Sequence, residues 1–475
     1  MATTTTSMNT IGKVRLSLKE KIAYGMGDLG NGFMFDLGQA YLLKFYTDVA
    51  GLPGAVAGGV FLFTKVFDAF MDPLAGTFID TRRRIGKHGR FRPIMLKSSI
   101  ALAILTIFTF FTPGAHASTN LIYAYVSYMA WGVLYSFTNV PYGSLASVMT
   151  QDSEQRAQLA SFRQAGSVSA LLITGVAFMP IVLAFGDNQR LGFAVAAGLM
   201  ALVGVLCFSV TAGFTRERVP VARTYEKLTA KEFFRTIGQN RPLLVLILMT
   251  VFSISAYNLT TAMIVYYTQY YLGDVRLLPY VNFISIGASI IGILSMPWLT
   301  QVIGKKRTAI LGFGIAAVAD ALNLLLPTHL VSFTVLLSLA FIGVALPNGI
   351  TWALVSDAID YGHWRTGSRR EGITYSAFNF SRKIAQSIAG GLAGFGLTQI
   401  GYHPHVAQTA QTLAGIRFLQ VGYPAIALAL AGVILGFLYP LSDKRHAEIA
   451  AEIHSREAGK EFIEGTDTPT TPIEE

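Results

Sequence analysis

Apolar stretches recur through this chain at about residues 24–48, 54–80, 93–113, 120–148, 157–186, 189–212, 243–272, 277–302, 307–327, 330–357, 372–401 and 412–440. Each approaches or exceeds the ~20 residues that cross a ~30 Å hydrocarbon layer as a helix rising about 1.5 Å per residue. Only 13% of the residues are charged and 52% are hydrophobic. A soluble domain carries roughly a quarter charged residues. The pattern predicts an all-α polytopic membrane protein with about twelve transmembrane helices.

The formal net charge of +10 would point to nucleic acid in a soluble chain. Here its distribution gives a topology instead. Basic clusters follow the even-numbered spans: Arg82 to Arg92, Arg216 to Arg241, Lys305-Lys306-Arg307, Arg365 with Arg369-Arg370, and the tail from Lys444. The links after odd-numbered spans, at 113–119, 186–190 and 401–411, are short and nearly free of Lys and Arg. The positive-inside rule then places both termini in the cytoplasm of a cell whose plasma membrane the chain crosses. No cleavable signal peptide is expected in the Thr/Ser-rich leader. The single cysteine, Cys207, cannot form an intrachain disulfide and reads as a packing residue. The histidines lack metal-ligand spacing, and no phosphate loop, nucleophile elbow or zinc motif is present. Neither an enzyme nor a cofactor is expected.

The longest polar interruption, 213–242, divides the chain. The expected parts are a leader (1–20), a first six-helix bundle (21–212), a central loop (213–242), a second bundle (243–440) and a tail (441–475). The tail is expected to form a short helix over about Asp443 to Glu464 and to be disordered beyond it. The halves echo each other. Asp72-Pro73 before the basic run at 82–92 matches Met296-Pro297 before Lys305-Lys306-Arg307. Asn139-Val-Pro141 followed by Arg163 matches Trp352 to Asp357 followed by Arg382-Lys383. This duplication fits two bundles about a pseudo-twofold axis, with a substrate site between them at midplane, as in major-facilitator transporters.

The second span carries Lys65-Val-Phe-Asp68-Ala-Phe-Met-Asp72-Pro73. Asp68 and Asp72 are four apart and share a helix face, with Lys65 on the same side. Ionisable groups at that depth are costly and should face protein or a wet cavity. One lysine against two carboxylates leaves one negative charge without a partner. That favours a site for a proton or Na⁺ over a structural cluster.

Other polar groups fall inside spans. Asp36 and Gln39 share a face of the first span, among Phe33, Phe35, Tyr41 and Tyr46, and are expected to bind sugar hydroxyls. The alternative for Asp36 is a buried partner for a basic residue. Asp28 reads as a helix-end residue. Asn139 precedes a proline kink whose freed carbonyl, with Ser136 or Thr138, is a possible cation ligand or a plain packing feature. Arg163 and Lys383 are expected to face the midplane and pair with Asp36 or the Asp68/Asp72 face, as sugar ligands or as latches between bundles. Trp352 is a sugar platform or a core residue. Arg156, Asp357, Asp360 and Arg369-Arg370-Glu371 read as a cytoplasmic salt-bridge gate or as a solvated face.

Together, Tyr46-Thr-Asp48-Val-Ala-Gly51, Phe67 to Pro73, Gly89-Arg-Phe-Arg-Pro93, Asn139 to Leu145, Asp360-Tyr-Gly, Arg370 to Tyr375 and Arg382-Lys383 resemble the glycoside–pentoside–hexuronide:cation symporter family over about residues 20–445. The xyloside and glucuronide carriers are the nearest in pattern. The resemblance implies secondary active uptake of a sugar or glycoside driven by H⁺, Na⁺ or Li⁺. The family's cation carboxylates match Asp68 and Asp72, its assisting hydroxyl falls at about Ser136, and its sugar-site lysine matches Lys383. Its arginine matches Arg163 after a one-residue shift. Its two sugar-contacting acids fall at Gly32 and Asn139, its tryptophan at Gly143, and its first-span lysine at Asn31. Asp36, one turn past Gly32, is the expected replacement for the first acid. An asparagine between the cation carboxylates is Met71 here, which favours H⁺ over Na⁺. A neutral xyloside is expected over a glucuronide, because Asp36 repels a uronate unless Lys383 and Arg163 outweigh it. The alternatives are a hexuronide (glucuronide):cation symporter and an uncoupled facilitator or lipid carrier of the same fold.

Overall fold

The computed structural model describes residues 15–81, 89–114, 116–218, 235, 237–327 and 329–466. Much of the leader, the basic link after Thr81, most of the central loop and the last nine residues lie outside the described residues. So does the expectation of disorder at the chain's end.

Among the described residues twelve long helices follow one another: α1 (Leu18–Lys44), α2 (Gly54–Thr81), α3 (Phe91–Thr109), α4 (Ala117–Met149), α5 (Ser153–Leu183), α6 (Gln189–Phe214), α7 (Arg241–Tyr266), α8 (Leu278–Ile303), α9 (Lys305–Leu325), α10 (Leu330–Thr366), α11 (Glu371–Gln399) and α12, which begins at Ala410–Arg417 and runs on to Leu438. A terminal helix, α13, covers Asp443–Thr466. Helix starts carry side chains that accept otherwise unpaired N–H groups. Ser17 and Glu20 form a reciprocal capping box on α1, and Asp152, Asn188 and Asn240 cap α5, α6 and α7.

Among the described residues, nine of these segments are long and apolar enough to cross a membrane. The three that fall short are α1, α4 and α11. Of these, α1 carries Asp28 and Asp36 and α11 carries Arg382 and Lys383, whereas α2, which bears Lys65, Asp68 and Asp72, is among the nine.

The first six helices pack together, α1 on α5 and α6 and α4 on α2 and α3, and the last six do likewise. The bundles meet through α2 with α11, α5 with α8, and α1 with α7. At the α2–α11 seam the backbones touch. A Cβ built on Gly394 would lie 2.4 Å from both the Gly54 oxygen and the Gly58 Cα, so no side chain fits there.

The inter-bundle hydrogen bonds among the described residues are unevenly placed. They run from the end opposite the termini down to the middle of α2 and stop there. Lys44 at the end of α1 pairs with Asp48, which accepts from Tyr402 at 2.8 Å; Thr47 meets the Tyr266 hydroxyl at 2.8 Å; and the His405 ring reaches the Asp48 carbonyl at 2.8 Å. Lower down, Ser387 donates to the Leu62 carbonyl at 2.8 Å and Asn282 to that of Gly175 at 2.8 Å. Lys383, with Asp68 and Asp72, makes the last such link.

Candidate functional site

Asp68 and Lys65 are almost wholly buried, at 3% and 2% exposure. Their closest approach is 3.9 Å, too long for a hydrogen bond. The Lys65 ammonium sits instead in an aromatic cage, 4.7 Å from the Phe35 ring centre, 5.4 Å from Tyr128 and 5.5 Å from Trp131. Such rings hold a cation by their quadrupole without satisfying its N–H donors. One Asp68 oxygen, Oδ1, is buried with no hydrogen-bond partner. A buried orphan carboxylate oxygen is expensive and fits a site completed by a proton or an ion. It faces Gly132 of α4, where a Cβ would lie 1.8 Å away.

Asp72, one turn further, is half-buried and well supplied. Ser136 donates to its Oδ1 at 2.6 Å, and Lys383 of the other bundle lies 2.7 Å from its Oδ2. The same ammonium donates to the Asp68 carbonyl at 2.9 Å. The charge count from sequence is therefore corrected in this conformation. Two lysines face two carboxylates, and the second comes from across the bundle interface. Lys383 occupies the place where an external cation was expected.

The proline-freed carbonyl has a different use from the one expected. Pro141 frees the Phe137 oxygen, which accepts from Ser98 of α3 at 3.0 Å, while Thr138 donates to Ser98 and Leu134. That carbonyl ties α3 to α4 and does not reach the carboxylate pair.

The residues expected to contact sugar divide. Asp36 is half-buried and makes no hydrogen bond or ion pair among the described residues. Its Oδ2 lies over Gly32, 3.0 Å from where a Cβ would stand, so its carboxylate fills space that the glycine leaves open. It lines a small cavity of about 20 Å³ between the bundles, with Tyr41, Thr174, Thr261, Asn282 and Phe341. Gln39 keeps a buried Nε2 without an acceptor. Asn139 accepts from Asn31 at 3.3 Å, and Asn31 also donates to Tyr135 at 3.1 Å. Trp352 stacks on Tyr375 at 5.0 Å and stays 37% exposed, which removes it from the core.

Two expectations change. Arg163 pairs with neither Asp36 nor the Asp68/Asp72 face; it bonds Asp28 through two contacts of 3.4 Å and lies 5.0 Å from the Tyr142 ring. Asp28 is accordingly no helix-end residue, since α1 begins ten positions earlier. The gate was expected to close when the protein faces outward; here Arg156, Asp357, Asp360 and Arg369 pair within their own bundles among the described contacts. Arg369 bonds Asp360 at 2.8 Å, Asp357 takes Lys305, His446 of α13 lies 3.1 Å from Asp360, and Arg156 donates to the Thr150 carbonyl at 3.0 Å. Sequence reasoning passed over Gly132 and the Lys44–Asp48 pair at the end opposite the termini. The i, i+4 spacing of that pair was the available signal.

A twelve-helix membrane fold with paired bundles and a polar site between them defines a transporter and not an enzyme. Residues 23–443 match the model of the MFS/sugar transport protein family, and the chain belongs to that family. It is 55% identical to the Bacillus subtilis (strain 168) uncharacterized symporter YjmB over 93% of this chain and 96% of the relative. It is 39% identical to a putative sulfoquinovose importer of Escherichia coli (strain K12), over 93% and 95% respectively. The fold is similar to that of a bacterial homologue of the human lysosomal transporter Spinster, solved inward-facing, with TM-score 0.65 over 91% of this chain and 97% of that one at 14% identity.

Proposed function

We propose that this sugar transporter takes up a sugar or glycoside across the cell membrane by symport with a cation bound at Asp68 and Asp72. The observation that carries the reading is the position of Lys383, which reaches across the bundle interface to the acid that also takes the Ser136 hydroxyl. A cation arriving at Asp72 displaces that ammonium and loosens α11 from α2. Cation binding and bundle position are thereby coupled. The name symporter carried by YjmB agrees with this.

The donor set favours H⁺ over Na⁺. It holds two carboxylates and one hydroxyl already donating its hydrogen, with Met71 supplying no oxygen between them. Among the described residues no group of three or more His, Cys, Asp or Glu gathers to hold a metal ion. A small hard cation needs more oxygen ligands than this.

With both termini in the cytoplasm, as the basic clusters favour, the plug at Asp48 closes the outer end and the conformation faces inward. The gate residues Arg156, Asp357, Asp360 and Arg369 then form inter-bundle pairs in the opposite state. Asp36, Gln39, Asn139, Arg163, Trp352 and Lys383 border the path of the sugar. The test is uptake of labelled sugars into proteoliposomes under imposed H⁺ or Na⁺ gradients. Accumulation under an H⁺ gradient supports the reading. Equilibration without accumulation under either gradient makes the protein an uncoupled facilitator.

A further inference from the structure

A cavity of about 150 Å³ opens at the end of the molecule that carries the termini. It lies apart from the space between the bundles. Among the described residues its walls come only from the stretch before α7, the end of α10 and the start of α11. Two arginines line it, Arg235 ahead of α7 and Arg370 at the start of α11. None of the described lining residues is Asp or Glu.

Hydrogen bonds within the walls fix the shape of this cradle. Asn240, 2% exposed, is its buried side; its Oδ1 accepts from the Leu243 N–H at 3.1 Å and its Nδ2 donates to the Ala358 carbonyl at 2.7 Å, which ties α7 to α10. Thr374, equally buried, donates to the Arg370 carbonyl at 3.0 Å. Where α10 ends, Gly367 takes a φ of +71°, and the Thr366 hydroxyl donates to the Gly362 carbonyl at 2.7 Å and accepts the Ser368 N–H at 3.4 Å. α11 starts at the same wall. Arg370 gives it no side-chain cap, so first-turn N–H groups remain as donors.

Guanidinium groups keep their charge, and two of them around one small cavity repel unless an anion lies between. The nearest acids along the chain do not supply it: Asp360 and Glu371 both face Arg369, at 2.8 and 3.7 Å. A water needs roughly 10–15 Å³ by this measure of volume, so the cavity holds one tetrahedral oxyanion with its hydration. It falls well short of the ~300 Å³ of a drug-sized pocket. A carboxylate brings one charge and two oxygens, which match one arginine fork. A phosphate monoester brings a charge of about −1.5 to −2 and three free oxygens, which match both.

We propose that this pocket binds a phosphate monoester through Arg235 and Arg370, at a site separate from the sugar path. The assignment depends on neither the coupling cation nor the identity of the sugar. A soluble phosphorylated metabolite and the headgroup of phosphatidic acid present the same group.

The test is binding to the purified full-length protein at fixed ionic strength, read by calorimetry and by the shift in thermal unfolding. The soluble probes are inorganic phosphate, methyl phosphate and acetate, added to protein in phosphatidylcholine nanodiscs. The lipid arm compares those discs with discs containing phosphatidic acid. For a soluble ligand, a phosphate probe should bind at least ten times more tightly than acetate. For a lipid ligand, phosphatidic acid alone should raise the melting temperature. In either case Arg235→Gln should weaken the response by roughly ten- to a hundredfold, the size of a lost charge-assisted hydrogen bond, and Arg235→Lys by less. Arg235 is exposed, so its replacement should leave the unliganded melting temperature unchanged. Acetate matching both phosphates, with no shift from phosphatidic acid, overturns the proposal without any variant. A full wild-type response in Arg235→Gln overturns it too.

Discussion

Replacing Lys383 by glutamine removes the positive charge 2.7 Å from Asp72 and the donor to the Asp68 carbonyl. Two unit charges at that distance with an effective dielectric of 20 attract by about 6 kcal/mol, which is a ceiling. The side chains of the pair are 17% and 30% exposed, so water and counter-ions screen much of it. A discounted value of about 1–3 kcal/mol is appropriate for a partly exposed pair. In this account Lys383 and the coupling cation compete for one carboxylate. Its removal should therefore lower the cation concentration for half-maximal sugar exchange by roughly 5- to 150-fold. The same change cuts the lowest link between α2 and α11, so net accumulation should fall even as cation affinity rises. The assay is initial counterflow rate in proteoliposomes against cation concentration, proton and Na⁺ titrated separately. An unchanged or raised half-saturating concentration would refute the competition.

Gly132→Ala should push the Asp68 carboxylate aside, because its Cβ would stand 1.8 Å from Oδ1; gradient-driven accumulation should drop at least tenfold while the protein still purifies as a monodisperse helical species. Asp48→Ala leaves Lys44 buried without its carboxylate, and unfolding in detergent should be easier by about 3–5 kcal/mol, read from thermal or denaturant melts. Gly394→Val cannot be accommodated with α2 and α11 in contact, so a disulfide engineered between positions 55 and 398 should form in the wild-type background and not in this variant. Asp28→Asn removes the acid that holds Arg163, and apparent sugar affinity should fall as the freed guanidinium turns into the cavity; unchanged affinity would separate that pair from the path.

The helices were legible because apolar length against bilayer thickness leaves few alternatives. The carboxylate pair was legible because a spacing of four on a helix fixes a face. What spans the bundles was harder to read. Lys383 is 315 residues from Asp68, and no local pattern states which basic residue crosses to which acid. The count of one lysine against two acids was sound along α2 and incomplete in space. Arg163 was assigned by its position in the fifth span, yet its partner was set by Asp28 on the neighbouring α1. Gly132 carried no signal, since its role is the volume it leaves for a carboxylate on another helix.

The central claim is that Asp68 and Asp72 couple sugar movement to a cation. Proteoliposomes holding wild-type protein or Asp72→Asn, loaded with the same buffer and given an inward H⁺ gradient, measure it directly. The wild type should concentrate the labelled sugar inside, and the variant should exchange sugar without concentrating it. Equal accumulation by both proteins would contradict the account.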